Sequence, residues 1–310
     1  MSHFPKKEKF FQVSIMQADF ALILCAGFGT RMGELGKVLP KVIWPIFSKT
    51  LLELQLDYCR DLGINNIYIN VHFQHEEIIK HLSTISHHNL NITVLYENPL
   101  LDSGGAIHNL ARRQEIGYSG KLLLLNGDQF LFFNIETYQR ALESLKNPEI
   151  RAILFGIIVN KNENYNETII KDDLLINIEK STNGPRSIDF VTYSGFGIVK
   201  LDGLQPIEGA SKFFQSVVNY KFEKTIMVVP EKSEYWDFGT SEIYVRNIFK
   251  ILAKISKNEG CFFKSFLEAH AVDFSNYKNF LNEQLNSIDL CQGGDFEIDR
   301  MKFNNISQKI

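Results

Sequence analysis

Phe20-Ala21-Leu22-Ile23-Leu24 runs directly into Cys25-Ala26-Gly27-Phe28-Gly29-Thr30-Arg31-Met32-Gly33, and the reading of this junction decides the fold. Five apolar residues in a row, with no polar alternation, suit a strand buried on both faces of a parallel sheet. The residues after them are small and flexible, as a tight loop leaving the strand's carboxyl end requires. In an open α/β sheet, ligands gather outside the carboxyl ends of the strands. Glycines there let the backbone approach phosphate oxygens, and free N–H groups can donate to them. On the glycines alone, a plain structural turn is an equal reading. Two common phosphate-binding motifs are excluded by spacing. A dinucleotide fingerprint needs glycine where Met32 stands, and a P-loop ending at Gly36-Lys37 would need glycine at Arg31 and Ser or Thr at Val38.

Outward from the junction, strand and helix signals alternate. Leu51, Leu54, Tyr58 and Leu62 recur at three- and four-residue steps and Gly63 follows, which predicts an amphipathic helix with a glycine stop. Ile67 to Val71, Ile92 to Tyr96 and Lys121 to Leu125 predict further strands, and helices are expected over Glu76 to Leu82 and Gly105 to Arg112. This alternation predicts a mainly parallel central sheet with helices on both faces. From Arg151 the texture changes. Arg151 to Val159, a hairpin around Lys171-Asp172-Asp173, and separate strands at Ile188 to Val191 and Phe196 to Val199 predict an antiparallel insertion over the sheet's edge. A helix is expected over Ser211 to Tyr220 and a strand over Thr225 to Val229. The whole is expected to be a mixed α/β fold. It divides into an N-terminal extension (1–19), a main domain (20–245) whose residues 151–230 form the antiparallel part, and a helical C-terminal tail (246–310).

Bulk properties narrow the function classes. Of 310 residues, 45% are hydrophobic and 22% charged, with a formal net charge of -3. No global positive field draws such a chain to nucleic acid or anionic lipid, so any phosphate site must be built locally. Cys25, Cys59, Cys261 and Cys291 are far apart, and neither a zinc site nor a disulfide framework is expected. Cys25 and Cys59 stand in apolar runs and are expected to be buried thiols. No secretory h-region or membrane span is seen, which predicts a reduced, cytoplasmic location. The eight histidines include no HExxH, and His72 and His75 lack a third ligand nearby in sequence.

Local cations do follow the glycine loop. Arg31, Lys37 and Lys41 fall within eleven residues, and Pro40 fixes the backbone directly before Lys41. Such a set can hold a triphosphate, arginine by its planar fork and lysine as a point charge; a solvated basic loop is the bland alternative. Asn126-Gly127-Asp128 closes an apolar strand, so Asp128 is expected at the same rim as the glycine loop. A carboxylate there suits Mg²⁺, which binds through one or two carboxylates plus substrate phosphates.

Leu24 to Arg31, followed by Leu39-Pro40-Lys41, resembles the motif of the sugar-1-phosphate nucleotidyltransferases, with Cys25 where alanine is usual. The resemblance covers residues 20 to about 245 and implies a Rossmann-like nucleotidyltransferase fold. It implies that Leu24, Ala26, Gly27, Phe28, Gly29 and Thr30 wrap the nucleotide while Arg31 and Lys41 hold its phosphates. Glu97-Asn98-Pro99 to Ser103-Gly104-Gly105 is similar to the base-reading segment of the N-acetylmuramate-1-phosphate uridylyltransferase and heptose-1-phosphate guanylyltransferase types. Glu97, Ser103, Gly104 and Gly105 are implied nucleotide contacts, with Ser103 also a candidate helix N-cap. Asp128, with Arg31 and Lys41, is implied to be catalytic, and Asp128 and Asp237 to hold Mg²⁺. Asn126, Glu179, Lys180 and Gly195 are implied to face the sugar phosphate, although Ser181 replaces the usual proline after Lys180. The expected partners are therefore a nucleoside triphosphate and a sugar 1-phosphate, with no nucleic acid or membrane. A cytidylyltransferase for an alcohol phosphate such as phosphocholine, or a non-catalytic nucleotide-sugar binder, are the alternatives. Base, sugar and oligomeric state stay open.

Overall fold

The computed structural model describes residues 16–37, 39–87, 89–181, 184–257 and 259–273. The described residues through Val272 form one compact unit. The expected tail thus lies largely outside the described residues, as does most of the N-terminal extension.

Chain order begins with β1 (Phe20–Leu24), a short helix α1 (Gly33–Gly36), and the two-residue strands β2 (Pro45–Ile46) and β3 (Lys49–Thr50). Helix α2 (Leu51–Asp61) starts at a reciprocal cap. Thr50 Oγ1 accepts from Glu53 N at 3.2 Å while Glu53 Oε2 accepts from Thr50 N at 2.9 Å. It stops as expected, with Gly63 at φ 80°. Then come β4 (Asn66–Val71), α3 (His75–Thr84), β5 (Asn91–Tyr96), α4 (Asp102–Ala111), β6 (Lys121–Asn126), β7 (Gln129–Phe133) and α5 (Ile135–Ser144). The second half has β8 (Ile150–Val159), β9 (Glu167–Lys171), β10 (Leu174–Glu179), β11 (Phe190–Lys200), α6 (Phe213–Ser216), β12 (Lys224–Val228), β13 (Ser233–Asp237), α7 (Ser241–Ser256) and α8 (Phe262–Ala269).

One nine-stranded sheet carries both halves, in the order β5-β4-β1-β6-β11-β8-β12-β10-β9. Strands β5, β4, β1 and β6 pair in parallel. The antiparallel section does not lie over the sheet's edge. Instead β11 enters beside β6, with Phe196 opposite Leu125 and Lys200 opposite Lys121, and β8 follows it. Strand β12 then runs parallel to β8. The two strands expected at Ile188 to Val191 and Phe196 to Val199 are one strand, Phe190–Lys200, whose register shifts between Tyr193 and Gly197. Gly195 at φ 82° makes that irregularity, and Ile188 lies outside the strand, exposed. The helix expected over Ser211 to Tyr220 shrinks to Phe213–Ser216. The backbone before it is tied elsewhere. Ser211 N donates to Leu101 O at 2.9 Å, and Ser211 O accepts from Gly105 N at 3.1 Å.

Strand β7 and helix α5 had no counterpart in the sequence reading. Strand β7 pairs antiparallel with β13, Gln129 opposite Asp237 and Phe133 opposite Ser233. Two apolar layers flank the main sheet. On one side Phe20, Leu22, Leu122, Leu124 and Leu154 meet Ile107, Leu110 and Ala111 of α4. An aromatic set lies elsewhere: Tyr58, Phe130, Phe132, Phe263 and Phe266 sit within 6.4 Å of one another in linked ring pairs. No helix among the described residues is long and apolar enough to cross a membrane.

Candidate active site

Strand β1 lies between β4 and β6, so the chain departs to opposite sides of it and opens a crevice at the carboxyl ends. The glycine loop sits there. Gly27, Phe28, Thr30 and Arg31 are exposed, and nothing lies within 4 Å of a side chain's first carbon built on Gly27. Gly29 at φ 63° and Gly33 at φ 64° bracket a single 3₁₀ turn, Thr30–Met32. Beneath the loop, a buried polar chain fixes its start. Cys25 N donates to Asn70 Oδ1 at 2.8 Å, and Asn70 Nδ2 donates to Glu97 Oε1 at 2.9 Å. Glu97 Oε2 then accepts from Leu101 N at 3.0 Å. Glu97 is 1% exposed, so its carboxylate organises the loop between β5 and α4 and does not itself face the crevice.

The structure also relocates the rest of that segment. Helix α4 starts at Asp102 with Leu101 at the N-cap, so Ser103 is inside the helix and is not its cap. The Ser103 hydroxyl meets Asp102 Oδ1 at 3.2 Å, a contact within the first turn. Gly104 and Gly105 are buried beneath residues 209–212. A side-chain carbon on Gly104 would lie 2.7 Å from Ser211 O, and one on Gly105 2.6 Å from Gly209 O. Close packing thus accounts for both glycines, and the Gly105 N–H is already engaged.

Two carboxylates converge at the rim. Asp128 leaves β6 and Asp237 ends β13. A side-chain carbon built on Gly239 would stand 2.8 Å from Asp237 Oδ1 and 3.3 Å from Asp128 Oδ2, which locates both oxygens around one point. Lys41 Nζ bonds Asp128 Oδ2. Asp237 Oδ1 accepts from Gly239 N at 2.7 Å, and Oδ2 accepts from Tyr165 OH at 2.9 Å and Gln129 Nε2 at 3.3 Å. Burial, and then the neighbouring Asp128 charge, push the Asp237 carboxyl above its ordinary range, against these three hydrogen bonds. Two half-buried carboxylates that converge on one point, one of them bonded to a lysine, fit a small, hard divalent cation. Among the described residues no group of three or more His, Cys, Asp or Glu forms a metal cage.

On the acceptor side, Asn126 and Gly195 come together. Asn126 Nδ2 donates to Gln129 Oε1 at 2.6 Å, and both amides press against Gly195, where any side chain would collide with them. Glu179 ends β10 and Lys180 follows it, and both are exposed. No contact joins them to either aspartate among the described residues. Their link to the centre is through Ser181, whose N donates to Asn166 Oδ1 at 2.9 Å beside Tyr165. Asn70, Gln129 and Tyr165 escaped the sequence reading. Gln129, one residue past Asp128 on an apolar strand, carried a usable signal; Tyr165, in a polar loop, carried none.

The nucleotidyl transferase family model matches residues 20–173. The D-glycero-α-D-manno-heptose 1-phosphate guanylyltransferase of Campylobacter jejuni is 30% identical over 161 residues, 52% of this chain and 67% of that protein. The bifunctional protein GlmU of Methanocaldococcus jannaschii is 25% identical over 245 residues, 77% of this chain but 48% of its own length. The chain therefore spans from just under half to about two thirds of the length of these relatives. In fold it is similar to the crystal structure of HddC from Yersinia pseudotuberculosis, with TM-score 0.62 and 22% identity over 75% of this chain and 99% of that one. The same protein complexed with GMP-PN gives TM-score 0.61 at 23% identity.

Proposed function

Because the chain belongs to the nucleotidyl transferase family, we propose that it transfers a nucleoside monophosphate from a triphosphate to a sugar 1-phosphate, releasing pyrophosphate. The observation that carries this reading is the convergence of the Asp128 and Asp237 carboxylates beside the glycine loop, with Lys41 on Asp128. These two aspartates would hold Mg²⁺, which supplies charge neutralisation at the phosphates. The glycine-loop backbone from Gly27 to Thr30 offers donors to the triphosphate, and Arg31 grips its oxygens. The acceptor's phosphate dianion is already nucleophilic, so its oxygen attacks the α-phosphorus in line without a general base. Catalysis then rests on positioning and on charge stabilisation by Arg31 and Lys41. Asn126, Gly195, Glu179 and Lys180 line the acceptor's approach, the last two from exposed positions at the end of β10. Guanine is the base to test first, because the Campylobacter jejuni relative, 30% identical, is a guanylyltransferase. The free thiols Cys25, Cys59 and Cys261 support a reducing, cytoplasmic setting.

The test is pyrophosphate release with Mg²⁺, four nucleoside triphosphates and a panel of sugar 1-phosphates. Release that requires one triphosphate and one sugar phosphate together is expected. Release with phosphocholine but no sugar phosphate would replace the acceptor class. Silence throughout, with triphosphate still bound, would sink the catalytic reading.

A further inference from the structure

The donor set around Asp237 is unequal between its two oxygens, and this inequality bears on how the carboxylate meets a cation. A carboxylate offers about four lone-pair sites, two on each oxygen. Oδ2 of Asp237 already accepts two bonds, from Tyr165 OH and Gln129 Nε2, while Oδ1 accepts one, from Gly239 N. One site is left, on Oδ1, the oxygen that converges with Asp128 Oδ2 near Gly239. The two donors to Oδ2 are themselves built in. Gln129 stands directly opposite Asp237 in the β7–β13 ladder, where cross-strand side chains share a face. Its Oε1 is fixed by Asn126 Nδ2 at 2.6 Å, and its carbonyl by Gln55 Nε2 at 2.7 Å. Gln55 is fully buried on α2, so this brace reaches into the core. Tyr165 comes from the loop before β9. That loop is held by Ser181 on Asn166 and by Arg186 Nη2 on the Tyr165 carbonyl at 3.1 Å.

We propose that Gln129 and Tyr165 are positioning residues that saturate Oδ2 of Asp237, so that a divalent cation shared with Asp128 is taken through Oδ1 alone. The inference rests on the metal role given to the two aspartates above. A single-oxygen ligand suits Mg²⁺ and Mn²⁺, which demand compact octahedral shells, whereas Ca²⁺ accepts carboxylates through both oxygens. Freeing Oδ2 would therefore weaken binding of the small ions and spare, or tighten, Ca²⁺. A loss of general rigidity would weaken all of them alike.

The test uses the full chain and metal ions alone, so it does not depend on turnover. Mn²⁺ affinity is read by electron paramagnetic resonance and Ca²⁺ affinity by calorimetry, for the parent, Tyr165→Phe and Gln129→Met. Partners of metal ligands usually change affinity by about ten- to a hundredfold when removed. Each variant is expected to bind Mn²⁺ about tenfold more weakly, with Ca²⁺ within about twofold of the parent or tighter. Melting temperature checks folding, and Tyr165→Phe, which removes one hydroxyl, stands alone if Gln129→Met does not fold. Parallel weakening of both ions, unchanged Mn²⁺ affinity, or no Mn²⁺ binding by the parent would each overturn the proposal. Steady-state kinetics add a separate reading. A variant effect confined to KM for the acceptor would make Gln129 a sugar contact and overturn it as well. Failure of the pyrophosphate assay with metal selectivity as predicted would count against the transfer reaction, not against this clamp.

Discussion

Lys41 has two duties that conflict. In the structure its ammonium bonds Asp128 Oδ2, the same oxygen that converges with Asp237. A cation arriving at the aspartates must displace that ammonium, which is then free to meet a phosphate. Lys41→Met is thus expected to raise Mn²⁺ affinity of the protein alone while lowering turnover by about two to three decades, the usual effect of losing one electrostatic stabiliser. Weaker Mn²⁺ binding in this variant would remove the competition from the account. Arg31 is exposed, so Arg31→Ala should leave the melting temperature unchanged and still lower turnover by about two to three decades. A loss under about tenfold would end its role. Residues such as Arg31, Lys41 and Asp128 were legible because each stands in a short local motif. Asn70 and Tyr165 were not, since their partners are distant: Asn70 reaches Cys25 and Glu97, and Tyr165 reaches Asp237 across 72 positions. Local spacing holds no trace of such pairs.

The hairpin-like pair β7 and β13 is where this illegibility matters most among elements. Its strands lie about a hundred residues apart, and pairing them places Gln129 beside Asp237. Elements driven by short-range pattern, such as α2 with its reciprocal cap and the parallel strands around β1, were readable to within one or two residues. By contrast, β11 was split in two by its glycine irregularity, and α6 was overcalled because apolar Phe213, Val217 and Val218 serve the core from a mostly non-helical segment. The expected division at 245/246 falls inside the continuous helix α7. Beyond that point α8 packs on the β7–β13 pair. Phe263 is fully buried and lies 5.3 Å from Phe130, 5.4 Å from Phe132 and 5.3 Å from Trp236, ring centre to ring centre. Glu234 of β13 in turn accepts from Phe262 N at 2.7 Å. Phe263→Ala is expected to cost about 3–5 kcal/mol in urea unfolding, the range for a buried phenylalanine. The brace by α8 would be refuted by a cost below about 1 kcal/mol.

At the scale of the molecule, one nine-stranded sheet joins the half that carries the glycine loop to the half that carries Gly195, so opening of the core should be cooperative across both. Two cysteines report on this. Cys59, on α2, is fully buried and its thiol is pushed up by burial. Cys25 is raised by burial first, then by the Asp128 charge, with Lys41 opposing. Neither thiol can react until the surrounding structure opens, because the thiolate is the nucleophile. In a Cys261→Ser, Cys291→Ser background, a thiol reagent should label both cysteines slowly. Serine at 261 keeps an acceptor for Lys264 N, which now donates to the Cys261 sulfur at 3.3 Å. When reclosing outpaces labelling, the rate follows the open population. Labelling of Cys59 should then rise with urea along the slope of global unfolding. A triphosphate with Mg²⁺ at a hundred times its Kd should slow both cysteines together by about a hundredfold, equal to about 2.7 kcal/mol of linkage. If the ligand protects Cys25 but leaves Cys59 untouched, the glycine-loop end of β1 opens separately from α2, and the first half is itself not one cooperative unit.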